Sequence, residues 1–236
     1  DIKKFRRSKY LESDLKNCFK EIEKDIKQGK EVLFSGVGCQ VAGLYGYLQK
    51  DYENLYTCEV VCHGIPSQLA YEKYLRERNE QYHDEMCGIN FRDKSHGWRE
   101  NSICEYYTSG RSECINSSRH PLHSIYLKGI NMRKTCGSCL YARLPRVADL
   151  TLADFWGYRG RLLEINPDRG VSLIAVNNDK GKRLLGQISK QVHLEKTEAA
   201  VALASCRHMA KSPVLYKSQT AFMQLIQNTA YHIAAE

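Results

Sequence analysis

Two cysteines stand two residues apart in "MRKTCGSCLYAR", residues 132–143. A Cys-x-x-Cys loop can wrap one corner of a metal site, run thiol–disulfide exchange or close a disulfide. Arg133, Lys134 and Arg143 flank Cys136 and Cys139, and such cations stabilise thiolates or a net-negative cluster. Cys39 follows the run "EVLFSGVGCQ", and Cys62 ends the run "NLYTCEVVC". Four thiolates suit either zinc or an iron–sulfur cluster. Zinc ribbons usually supply two Cys-x-x-Cys pairs, so one pair with two isolated cysteines leans mildly toward a cluster. A thioredoxin-like pair should follow a strand and open a helix, whereas this pair follows a helical pattern.

The elements that must position these residues follow from periodicity. Leu15, Phe19, Ile22 and Ile26 recur at helical spacing over 13–28, with Gly29 as a stop. "EVLFSG" (31–36) and "NLYTCEVVC" (54–62) read as strands on either side of a helix at 39–50. That is a βαβ unit with parallel strands. Parallel strands send their C-terminal ends to one edge of the sheet, which places Cys39 and Cys62 on one rim. The 136–139 loop would complete the set. Ser67 caps a predicted helix over about 68–82. Strands are predicted at 87–93, 102–108, 111–117, 147–155 and 170–178. Helices are predicted at 120–130, 179–190 and from about Val214 to the end. The expected fold is a single α/β domain built on a mixed β-sheet with flanking helices.

Ten cysteines are many for 236 residues. The first ten residues hold no apolar core of a secretory signal, and no run reaches the roughly 18 apolar residues of a membrane span. The expectation is a reducing, cytoplasmic compartment, where structural disulfides are rare. Cys18, Cys58, Cys104 and Cys114 sit inside helix or strand patterns and read as packing residues. The net charge of +8 suits an anionic cofactor or partner. A competing reading is a zinc-stabilised basic module contacting nucleic acid, but no recognition-helix or aromatic-platform motif supports it.

Several polar positions could serve a cofactor. The turn carrying Ser35, Gly36, Gly38 and Gln40 offers free backbone N–H groups to a phosphate or carboxylate, or is simply a tight turn. His63 could donate to a cluster sulfur or a flavin carbonyl, or bond local backbone. Arg92 and Lys94 alternate at a strand end, so both would face a phosphate or carboxylate, or solvent. Trp98 is either a ring for stacking or a core residue. Asp154 reads as a ligand, a proton-handling group or, by preference, a cap for turn N–H groups.

The segments "KEVLFSGVGCQVAGL", "VVCHGIPS", "INFRDKSHGW", "CGSCLY" with "ADLTLADFWG", and "GVSLIAVNNDKGKRLL" occur in this order. Together they resemble the beta-subunit family of coenzyme F-420 hydrogenases and dehydrogenases, from about Ser8 to at least Leu185. The resemblance implies an iron–sulfur flavoprotein with FAD, a 4Fe-4S cluster and coenzyme F-420 as a further candidate. It implies cluster ligation by Cys39, Cys62, Cys136 and Cys139, and a cofactor crevice lined by "SGVGCQ", "FRDKSHGW" and "ADFWG". Val37 and Gly38 depart from the family's usual Thr-Pro, and Ala153 stands where glycine is usual. The expected partners are an electron-donor or acceptor protein, or a ferredoxin-like domain, and a small redox substrate. Relatives often begin with such a ferredoxin-like domain, so the chain is expected to be a fragment lacking it.

Overall fold

The computed structural model describes residues 8–158 and 169–235. In chain order its helices and strands are α1 (Cys18–Lys27), β1 (Val32–Val37), α2 (Gly38–Leu48), β2 (Leu55–Val60), α3 (Gln68–Tyr82), β3 (Met86–Asp93), β4 (Ser102–Tyr107) and β5 (Ser112–Asn116). There follow α4 (Pro121–Leu127), β6 (Leu150–Asp154), β7 (Ser172–Val176), α5 (Asp179–Ile188), α6 (Ala199–Ser205), α7 (Gln219–Asn228) and α8 (Tyr231–Ala235). The expected βαβ unit is present: β1 and β2 pair in parallel through α2. β6 joins β2 in parallel and β7 joins β6 antiparallel, giving a mixed sheet in the order β1-β2-β6-β7. Among the described residues no helix is long and apolar enough to cross a membrane.

Helices α1 and α2 cover one face of this sheet. Ile22 and Ile26 of α1, and Val41, Leu44 and Leu48 of α2, close over Phe34, Leu55 and Ala148. Asp149, at the entry to β6, is buried and accepts from Thr57 N at 2.6 Å, Thr57 Oγ1 at 2.9 Å and Asn178 Nδ2 at 2.7 Å. One carboxylate thus ties β2, β6 and the N-cap of α5. A buried charge is tolerated only when its lone pairs are met in this way.

The predicted strands between 86 and 117 form a second sheet, antiparallel in the order β3-β4-β5, rather than extending the first. Its core joins Phe91, Ile103 and Tyr107 with Tyr74 of α3, Ile125 of α4, Phe222 and Ile226 of α7 and Tyr231 of α8. Glu105 is fully buried within it. Burial alone would raise its pKa. Hydrogen bonding to His120 Nε2 at 3.1 Å and from Tyr74, Tyr107 and Arg78 outweighs that and holds it at about 2. The sign follows directly. A carboxylate held below its ordinary value stabilises the fold above about pH 4.5, and that contribution is lost as the pH falls toward 2. Urea titrations at pH 6 and pH 2.5 should show wild type losing ~3 kcal/mol more than Glu105→Gln over that interval. Parallel losses in the two proteins would contradict it.

Three sequence expectations are corrected. The first helix starts at Cys18, not residue 13, because Lys16 takes a left-handed backbone (φ 38°) while its N–H bonds Asp14 Oδ1 at 3.0 Å. That local turn competes with helix. The predicted C-terminal helix is two helices, parted where Thr229 turns extended and Lys73 Nζ takes the Thr229 carbonyl at 2.7 Å. Cys104 and Cys114 are not separate packing thiols. They face each other directly across β4 and β5, with Cα atoms 4.1 Å apart, and form a disulfide. Directly opposed, closely spaced antiparallel positions are where such a bond can bridge two strands. Helix α6 had no counterpart in the sequence reading.

Candidate functional site

Register aligns the rim of the mixed sheet. Val37 pairs with Val60, and Val60 with Leu152. Beyond that line Cys39 lies in the first turn of α2, Cys62 follows β2 by two residues and Asp154 ends β6, all at the C-terminal edge of three adjacent parallel strands, where α/β sheets build ligand sites.

The Cys-x-x-Cys loop reaches this rim through backbone pairing. Residues 131–133 lie antiparallel against 65–67: Ser67 N donates to Asn131 O at 2.7 Å, and Arg133 N to Ile65 O at 2.8 Å. Gly64, between Cys62 and this pairing, has φ +114°, and a Cβ there would run into the Met132 thioether. The zipper delivers the 3₁₀ turn Lys134–Ser138 beside Cys62. A third segment covers it: Leu215 packs on Gly137, and Ser212 Oγ donates to Cys139 O at 3.2 Å. Cys39 is drawn in from the other side. Gly38 opens α2 against Glu59, Tyr141 and Arg146, where a Cβ would stand 2.6 Å from Glu59 Oε2. Arg146 in turn donates Nε to Glu59 Oε1 at 2.7 Å and Nη1 to Tyr141 O at 2.7 Å.

The result is one electrostatic neighbourhood of thiols. Burial pushes Cys62 up to about 11, and Cys136, Cys39 and Cys139 push it the same way. Cys39 is raised by burial, then by Cys139 and Cys136. Cys136 is raised by burial, against which a backbone N–H and Arg133 pull down. Gly64 N donates to Cys62 Sγ at 3.2 Å. Uncharged, the thiols tolerate this crowding; as thiolates they would need a cation or cluster to offset their repulsion. Their donor chemistry, with N–H groups aimed at sulfur, fits a metal–sulfur group. Among the described residues no three His, Cys, Asp or Glu side chains form a group that could hold a metal ion. Cys58 is buried in β2 and Cys18 is half-buried against the α1–α2 core, as packing residues should be.

The other predicted residues divide. Ser35 is exposed and sits in the β1–β2 ladder opposite Cys58. Gln40 is occupied with folding: its Oε1 accepts from Val37 N at 3.1 Å, and its Nε2 donates to Ser13 at 2.9 Å. Gly36 lies against that same amide, and Gly38 against Glu59. The turn is thus a packed helix start. His63 bonds neither local backbone nor sulfur. Its Nδ1 lies 3.0 Å from His208 Nε2, and its own Nε2 is buried with no partner among the described residues. Burial, then His208, lowers its pKa to about 4. His208 had no signal in the sequence, because a loop 145 residues away carries it.

Arg92 is mostly buried, with Nη1 donating to Asp154 Oδ2 at 2.5 Å. This ion pair joins the end of β3 to the rim of the mixed sheet. It also corrects the reading of Asp154 as a turn cap. Lys94 lies past the end of β3 and is exposed, so the strand alternation that would set it beside Arg92 stops short of it. Trp98 is not available to a cofactor. It is 1% exposed, in a core with Phe155, Leu173 and Met209, and Trp156 is stacked on it at 4.2 Å and 5°. The available ring is that of Trp156, 41% exposed. It lay unremarked inside "ADFWG", one residue past the end of a predicted strand.

A mixed sheet with a parallel β1-β2-β6 core and cysteines at its C-terminal edge defines an α/β protein with a thiol-rich sheet edge. The family model for the C terminus of the beta subunit in coenzyme F420 hydrogenase/dehydrogenase matches residues 29–201, and the chain belongs to that family. Its name makes redox electron transfer the family's chemistry. No curated protein matches the chain.

Proposed function

We propose that the chain is an electron-transfer oxidoreductase subunit in which Cys39, Cys62, Cys136 and Cys139 hold a 4Fe-4S cluster beside a flavin, FAD. Hydride exchange with a soluble substrate such as coenzyme F-420 and transfer to a second redox protein complete the role. The observation that supports this reading is the backbone pairing of 131–133 with 65–67, which ties the turn carrying Cys136 and Cys139 to the segment that follows Cys62 at the end of β2. Bound there, the cluster would accept and release single electrons, at a potential set by its charge, hydrogen bonds and exposure.

This chain's own residues supply the setting. Gly64 N–H and Arg133 lower the electron density on Cys62 and Cys136, which favours thiolate. Met132, fully buried under Gly64, and Leu215, over Gly137, pack against the two ends of the loop's approach. Arg92 brings a cation to the same rim for an anionic cofactor.

The test is anaerobic purification or reconstitution, followed by iron and acid-labile sulfide assays and visible spectroscopy. The expected result is brown protein, iron and sulfide in equal amounts, and absorbance bleached by dithionite. A colourless protein that takes up zinc but no iron would sink the reading.

A further inference from the structure

Residues 114–148 and 199–235 together contain nine lysines and arginines and no aspartate or glutamate. That excess is larger than the net charge of +8 of the whole chain, so the remainder is close to neutral. The fold lays the two acid-free segments side by side. Tyr216 N donates to Gly129 O at 3.2 Å, Ser212 Oγ to Cys139 O at 3.2 Å, and Arg146 Nη1 to Met209 O at 3.1 Å. Two of the nine cations are occupied within the protein: Arg146 is buried on Glu59, and Arg133 is paired with Glu12. The other seven are exposed and form no ion pair among the described residues; four of them are Lys128, Lys134, Lys211 and Lys217.

Apolar side chains project among these cations. Val214 and Leu140 are 73% and 68% exposed, more than any other large apolar side chain among the described residues. Leu144 and Tyr216, on the same two segments, are exposed as well. A single exposed leucine is ordinary. Four large apolar side chains on two adjoining loops, with no carboxylate in either segment, are a surface of distinct character. Leu215 is half-buried on Gly137, while Val214 and Tyr216 on either side of it are exposed, the alternation of an extended segment with one face inward. Gly129 leaves no room for a Cβ beneath Val214 O, so the backbone that presents these side chains is closely backed.

We propose that this face seats the chain on an anionic lipid surface, with Leu140, Val214 and Tyr216 entering the headgroup layer and the lysines set against lipid phosphates. The chemistry favours lipid over an acidic protein. Protein interfaces are depleted in lysine and fix their register with charges of both signs, whereas this face is rich in lysine and has one sign only. A bilayer surface attracts each cation and disfavours every carboxylate. Its headgroup layer also accepts side chains that project singly from loops, for each of which a protein partner would need a pocket. Apolar insertion and attraction to anionic lipid together hold a peripheral protein. Seated this way, the turn carrying Cys136 and Cys139 lies against the lipid. Neither the loops nor the charges depend on a bound cluster, so this surface goes beyond the redox reading above and stands apart from it.

The experiment sediments the full chain with vesicles of phosphatidylcholine alone and of phosphatidylcholine mixed with phosphatidylglycerol, at low and high salt. Binding to the mixed vesicles should be at least about tenfold tighter than to the neutral ones, and added salt should weaken it. Lys211→Gln/Lys217→Gln should cost about tenfold on the mixed vesicles at low salt. Lys20→Gln/Lys24→Gln removes the same charge from exposed positions on α1 and should change nothing. Leu140→Ser/Val214→Ser, at two exposed positions, should cost at least about tenfold at both salt concentrations. Equal binding to the two kinds of vesicle, or equal losses from the two lysine pairs, would overturn the proposal. Soluble polyglutamate probes for an acidic protein instead. If it binds as tightly as the mixed vesicles, and Leu140→Ser/Val214→Ser leaves both affinities as they were, the lipid surface is excluded. Iron assayed on the same samples keeps the two readings apart: vesicle binding without iron defeats the cluster alone, and iron without vesicle binding defeats the lipid surface alone.

Discussion

Alanine at any one of Cys39, Cys62, Cys136 or Cys139 should cut the iron retained after anaerobic reconstitution at least about tenfold. Alanine at Cys58 or Cys18 should leave it unchanged. The contrast matters more than either result. All six are cysteines, but only the first four share one electrostatic neighbourhood at the strand ends. Cys58 is raised instead by burial, then by Glu59 and Asp149, on the sheet's interior. Cys18 is raised by burial, then by Glu21 of its own helix. Thermal melts of the iron-free variants must accompany the assay, since a buried cysteine replaced by alanine lowers stability on its own account. Iron retained by a folded Cys39→Ala or Cys62→Ala protein would separate that residue from the set. Iron lost from a folded Cys58→Ala protein would point to a different set.

The sequence made the cysteine rim legible for a definite reason. Strand alternation and the glycine turn at 36–38 specify β1, α2 and β2, and parallel pairing then forces Cys39 and Cys62 to the same edge. Nothing comparably local encodes the tertiary partners. The pairing of 131–133 with 65–67 joins two irregular loops with no periodic signal. His208 reaches His63 from a loop beyond β7, and Leu215 reaches Gly137 from the last third of the chain. Trp98 was left open between core and platform because an indole in an irregular segment carries no periodic signal to decide. The structure decides by stacking, which buries one of two tryptophans and presents the other. Gln40 was misjudged because a polar side chain in a glycine turn can serve a ligand or cap a helix, and here it caps.

Arg146→Met should cost the fold about 3–5 kcal/mol, read as a lowered urea midpoint. The guanidinium is buried between Glu59 of β2, the carbonyl of Tyr141 and, at 3.1 Å, the carbonyl of Met209. Removing it strands a fully buried carboxylate. Glu59 would keep the Thr151 hydroxyl at 2.8 Å on Oε1, while Oε2 already lacks a partner among the described residues. The double variant Glu59→Met/Arg146→Met removes both charges and should recover a large part of the loss, because a buried ion pair is worth far less than the penalty of breaking one half of it. A second consequence concerns the thiols. Arg146 links the segment after Cys139 to the strand before Cys62, and Gly38, next to Cys39, packs against both members of the pair. Freed from Arg146, residues 139–146 should loosen first, so Cys139 in iron-free Arg146→Met should react with iodoacetamide several-fold faster than in wild type under native conditions. The double variant restores packing but not the tie to Tyr141 O, so its alkylation should stay fast while its stability recovers. Stability and alkylation recovering together would show that Arg146 acts only through charge balance and does not position the loop.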